Sequence, residues 1–150
     1  MYYAMLTSQL RSLAETDPRF LPLLSNVSAL LYDALADVNW AGFYLMRDGR
    51  LVLGPFQGKV ACIHIKVGRG VCGTAVQEGR TQLVPDVHAF PGHIACDSAS
   101  NSEIVVPIRQ DGDIVGVLDI DSPLLNRFIE ADREGLEGFV KALEAVIQWD

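Results

Sequence analysis

Three cysteines and three carboxylates carry most of the chemistry this chain could do. Cys96 falls in Gly92-His93-Ile94-Ala95-Cys96-Asp97-Ser98, inside a stretch, 86–102, of mostly small and polar residues. A cysteine in a long polar loop is an odd choice for core filler, and long loops in compact domains are often functional; two further cysteines and nearby histidines make Cys96 a candidate functional residue. Cys72 sits in Gly68-Arg69-Gly70-Val71-Cys72-Gly73, where a glycine turn opens a short helix. The free N–H groups of a first helical turn favour a thiolate, and Lys66 and Arg69 add positive charge nearby. A small buried hydrophobe packing that helix onto a sheet is the equal alternative. Cys62 reads as mid-strand, on one face with His64 and opposite Ile63, and is buried by default unless that face lines a pocket.

The acids are more informative. In Ile114-Val115-Gly116-Val117-Leu118-Asp119-Ile120-Asp121, alternation places Val115, Val117, Asp119 and Asp121 on one face and Ile114, Leu118 and Ile120 on the other. Two acids at the end of an apolar strand are costly unless a cation or a proton meets them. The Asp111-Gly112 hairpin brings Glu103 alongside, so three carboxylates can converge. The plainer alternative is that Asp121-Ser122-Pro123 caps a turn with Asp119 half-solvated. Trp40, Gly42 and Tyr44 share another strand face, as core or as an aromatic wall beside a sulfur-bearing ligand. Cys62-x-His64, Cys72 and His93-x-x-Cys96 also offer five zinc ligands, although no C-x-x-C occurs and the spacings are irregular.

The elements that must position these residues follow from periodicity. Helices are expected over 3–13 and 20–36, strands over 40–46, 51–53 and 59–66, and a short helix over 74–78. A strand at 81–84, the 86–102 loop, a hairpin of 103–110 with 113–120, and a terminal amphipathic helix over 126–149 complete the chain. That order predicts an α+β fold with helices packed on an antiparallel sheet and a ligand site between sheet and crossing loops. A length of 150 residues fits one domain spanning 1–150, and an apolar content of 49% supplies a core. A net charge of −7 with no basic cluster argues against nucleic acid and anionic membrane as partners. No apolar run approaches the ~20 residues a bilayer needs, and no secretory leader is visible, so the expected location is the cytoplasm. An odd cysteine count in that compartment speaks against a static disulfide framework.

Taken together, Asn39-Trp40-Ala41-Gly42-Phe43-Tyr44, the 68–75 glycine turn, His93 through Pro107 and Gly116 through Ser122 closely resemble the free methionine-(R)-sulfoxide reductase family, whose members are GAF-domain proteins. The glycine turn and last strand are common to GAF domains, whereas the Cys96 loop running into Glu103 is specific to the reductases. The resemblance covers essentially the whole chain. It implies a GAF-type antiparallel sheet sandwiched by helices, usually a homodimer, with no metal or organic cofactor. It further implies that Cys96 attacks free methionine (R)-sulfoxide, that Cys62 or Cys72 resolves the oxidised intermediate as a disulfide, and that thioredoxin restores the dithiol. Cys62 is favoured as the resolver if its strand face lines the pocket. Glu103, Asp119 and Asp121 would hold the substrate, with Trp40 beside its methyl group and Tyr44 on the same wall. The competing expectations are a non-catalytic GAF sensor for a small effector and, third, a zinc-binding regulatory domain.

Overall fold

The computed structural model describes residues 2–92 and 100–150. Its elements in chain order are α1 (Tyr2–Thr16), α2 (Phe20–Ala34), β1 (Trp40–Arg47), β2 (Arg50–Gly58), β3 (His64–Lys66), α3 (Gly70–Glu78), β4 (Gln82–Val84), a 3-10 turn (Val87–Ala89), β5 (Ser102–Gln110), β6 (Asp113–Ser122) and α4 (Glu130–Val146). The strands form one six-stranded sheet in the order β3-β2-β1-β6-β5-β4, with every neighbouring pair antiparallel. This is the expected α+β sandwich. Two of its hairpins turn on Asp48-Gly49 and Asp111-Gly112, all four residues at positive φ, the backbone that a tight two-residue hairpin requires.

Alternation divides the sheet into two faces, each with its own core. Ala41, Phe43, Leu45, Ile104, Val106, Ile108, Leu118 and Ile120 meet α1, α2 and α4. Trp40, Tyr44, Val105 and Val117 point the other way and meet Val71, Cys72 and Ala75 of α3, together with Val84 and Val87. Burial of the first face supplies most of the apolar area, at about 25 cal/mol per Å². The second face is smaller, and the acids lie on it.

Several boundaries differ from the periodic reading, each for a physical reason. β2 runs on past Leu53 because Gly54 and Pro55 form a bulge opposite Phe43, and a bulge is where a strand tolerates proline. β3 is only three residues long, so Cys62 is not mid-strand and does not alternate with His64. The carbonyls of Lys59 and Cys62 are instead taken by the Trp40 indole N–H (3.1 Å) and the Tyr44 hydroxyl (3.0 Å), which replace ladder bonds. Val115 does not share a face with Val117: a bulge between Ile108 and Arg109 turns it onto the helix-covered core. α3 starts at Gly70 rather than Thr74. α4 starts at Glu130 because the Asp132 carboxylate accepts from the Ile129 N–H at 2.9 Å. It ends at Val146, since Gln148 leaves the helix to pair with Pro18 and Phe20.

Candidate active site

Strand register alone brings the three acids together. On β6, Asp121 pairs directly with Glu103 of β5 on one side and with Trp40 of β1 on the other. Asp119 lies one pleat further along the same face, opposite Val105 and Gly42. Like charges directly across a ladder repel, and here they do so away from water: Glu103 is 8% exposed and Asp119 5%. Burial and the two neighbouring acids push the Glu103 carboxyl well above its ordinary value. Burial also raises Asp119, opposed by the hydrogen bonds it accepts from Glu103, Cys72 and Asp121. Carboxyls that hydrogen-bond one another must share at least one proton, and Glu103 is its natural holder. One oxygen of Asp119, Oδ1, is buried without any N–H or fixed hydroxyl partner among the described residues.

Around the acids lies a pocket bounded by Trp40 and Tyr44, by Val60 and Ala61, by Arg69 through Cys72 at the start of α3, and by Ser100. Trp40 stacks between Tyr44 and Phe56, with ring centroids 5.9 and 5.1 Å apart. The aromatic wall thus does two jobs: it lines the pocket, and its polar tips hold the backbone that carries Cys62. Burial pushes the Tyr44 phenol upward, so it stays protonated and donates.

The cysteines separate into three situations. Cys62 is disulfide-bonded and half-buried. Cys72 is a free thiol, 4% exposed, donating to Asp119 Oδ2 at 3.3 Å. Of the two alternatives for Cys72, its place in the second core fits the small buried residue, and burial with three nearby carboxyls pushes its thiol well above the ordinary range. Cys96 and His93 lie outside the described residues, as does the rest of 93–99 in the 86–102 segment expected to cover the pocket. Its described ends do border the pocket: the Gly92 carbonyl accepts from the Gly70 N–H at 3.2 Å, and Ser100 is a lining residue.

Among the described residues the zinc set is not assembled. Cys62 is committed to a disulfide, and His64 is exposed on β3. The one group of ligand-type side chains that converges among the described residues is Cys72, Glu103 and Asp119. Sequence reasoning missed Ser100 and the pocket role of Arg69 and Val71. The glycine turn was read for its effect on a thiol, whereas a helix start with an adjacent arginine is equally a place for an anion.

Housing a proton on buried Glu103 has a consequence for stability. A carboxyl whose folded value lies above its unfolded value of 4.5 loses stability as pH rises from there through the folded value. Glu103→Gln removes that penalty. At pH 7.5 the variant is expected to melt higher than the natural protein, within the roughly 0.5–2 kcal/mol typical of stabilising substitutions, and the gap should close below pH 4.5. Parallel thermal melts at the two pH values check this.

The GAF domain family pattern matches residues 24–148. The chain is 56% identical over 146 residues to the free methionine-R-sulfoxide reductase of Escherichia coli (strain K12), covering 97% of this chain and 88% of that protein. Its fold matches the reduced form of fRMsr of Staphylococcus aureus with a TM-score of 0.94 at 55% identity, covering 97% and 95% of the two chains. The same protein in complex with substrate matches at 0.92, with the same identity and coverage. With the GAF pattern across most of its length and more than half its residues identical to those of a reductase, this chain belongs to the GAF-domain free methionine-R-sulfoxide reductase family.

Proposed function

We propose that this protein reduces the R-sulfoxide of free methionine to methionine, using thiols as the source of electrons. The observation that carries the reading is the buried Glu103–Asp119–Asp121 cluster facing an aromatic-walled pocket, in a chain whose relatives bear that activity in their names. In the proposed reaction the Cys96 thiolate attacks the sulfoxide sulfur while protonated Glu103 delivers its proton to the oxygen. The sulfur–oxygen bond breaks, methionine leaves, and Cys96 is oxidised by two electrons to a sulfenic acid. Condensation with the Cys62 thiol releases water and leaves a Cys96–Cys62 disulfide, which thioredoxin reduces through its own dithiol. A disulfide at Cys62 and a free thiol at Cys72 support Cys62 as the resolving partner. So does chain connectivity: Cys96 is four residues from both Gly92 and Ser100, which border the pocket.

Substrate recognition divides among the walls. Asp119 and Asp121 pair with the α-ammonium, which a peptide-bound methionine lacks, and Trp40 packs the methyl group. The first turn of α3 with Arg69 takes the α-carboxylate. Tyr44 acts by holding the Cys62 segment. Residues 1–150 serve as one GAF unit that works as a homodimer in the cytoplasm and needs no further cofactor. No helix among the described residues is long and apolar enough to cross a membrane.

The test uses separated R and S isomers of free methionine sulfoxide with thioredoxin as reductant, following methionine release. The R isomer should be consumed over many cycles while the S isomer persists. Binding of the R isomer without release of methionine would instead support a GAF sensor.

A further inference from the structure

The free thiol of Cys72 sits in the wrong place for electron transfer and in the right place for something else. It is 4% exposed and donates to Asp119 Oδ2, with the Glu103 carboxyl also within 4.8 Å. It is carried on the first turn of α3 beside Gly73, where a Cβ would lie only 2.3 Å from the Lys66 carbonyl oxygen. The helix start is therefore pressed against the connection from β3 and has no slack to carry a sulfur outward. Disulfide formation needs Cα atoms within about 7 Å and Cβ vectors that converge, so a clamped, buried thiol is a poor travelling partner.

We propose that Cys72 is a positioning residue rather than a redox thiol: its S–H fixes Asp119 as a hydrogen-bond acceptor and so directs the cluster's proton to Glu103. The inference rests on the reductase reading of the same pocket. A hydrogen on Sγ pointing at Oδ2 takes one of that oxygen's two lone pairs and favours its ionised form. Asp119 also hydrogen-bonds Glu103, so a thiol that favours the ionised Asp119 leaves the shared proton to Glu103. Among the described residues, Asp119 is faced by Cys72 from α3, Glu103 from β5, Asp121 on its own strand and the Tyr44 phenol from β1, with Arg69 as the cation on the pocket wall. A thiol is a weak donor, but in a dry core an oriented donor acts on a carboxylate with little competition from water. A cysteine is also uncharged and small, so it supplies the hydrogen without adding a further charge to an acidic site.

The experiment compares Cys72→Ala, which removes the donor, with Cys72→Ser, which keeps one. Cys72→Ala should lower the turnover rate roughly tenfold and move the acid limb of its pH profile up by about one unit, because a lost hydrogen bond to the charged form raises a carboxyl. Cys72→Ser should recover most of that rate and return the acid limb toward its natural position, while completing many cycles. A carbon-13 NMR titration of the Asp119 carboxyl reads the same shift without turnover, so it decides the inference even if the natural protein fails to release methionine. A Cys72→Ser protein that stalls after one methionine per chain would make Cys72 a resolving thiol and overturn the proposal. Matching Asp119 titrations in the natural protein and Cys72→Ala would overturn it as well.

Discussion

Replacing Cys96 by serine should abolish sulfoxide reduction, lowering the rate by at least roughly a thousandfold, while the thermal melt stays near that of the natural protein. The reasoning is chemical. Sulfoxide reduction begins with an anionic, polarisable nucleophile at the sulfoxide sulfur, and a serine hydroxyl remains protonated where a thiol can ionise. No other cysteine can take over: Cys62 is tied into the backbone held by Trp40 and Tyr44, and Cys72 is a protonated donor inside the core. The partner variant behaves differently. Cys62→Ser should release about one methionine per chain in a single burst, because the attacking step is intact, and then stop when the sulfenic acid finds no second thiol. Rapid-quench measurement of methionine separates the two cases. A full burst from Cys96→Ser would move the attacking role to another cysteine.

Glu103→Gln should cost the next largest factor, roughly a hundredfold or more in turnover, since general acid catalysis is typically worth 10²- to 10⁴-fold. The amide keeps the shape and a hydrogen-bond donor but cannot release a proton to the departing oxygen. Asp121→Asn should instead chiefly raise the Michaelis constant, roughly ten- to a hundredfold. A contact with the ammonium group exists equally in ground and transition states and is worth about 1.5–3 kcal/mol. The pH dependence carries the same signature. Because burial and like charge hold the Glu103 proton well above the ordinary range, activity should persist through neutral pH and fall on the alkaline side as that proton is lost. In Glu103→Gln the alkaline limb assigned to this group should disappear from what activity remains.

Much of this site was legible before any fold was known. Alternation along 114–121 put Asp119 and Asp121 on one face, and the Asp-Gly turn between β5 and β6 aligned Glu103 with them; the register pairs Glu103 with Asp121 directly. What escaped the pattern was local and tertiary. Cys62 was read into a strand because 59–66 is apolar enough to be one, yet its carbonyls bond to aromatic side chains from β1, a contact that no period-two rule contains. Val115 was misplaced because it is the extra residue of a bulge, which turns it to the opposite face from Val117, Asp119 and Asp121. Cys72 was read from its position at a helix start, but desolvation and three carboxyls outweigh a helix dipole. Sequence shows the dipole and hides the burial.

The most direct test compares free and N-acetylated methionine (R)-sulfoxide as substrates for the natural protein under identical thioredoxin supply. Acetylation leaves the sulfoxide untouched and replaces the positive charge that Asp119 and Asp121 are proposed to hold with a neutral amide. The free amino acid should be favoured at least roughly tenfold in kcat/KM, the equivalent of about 1.4 kcal/mol or more. Equal kcat/KM values for the two compounds would contradict the account, because the buried acids would then have no part in choosing the substrate.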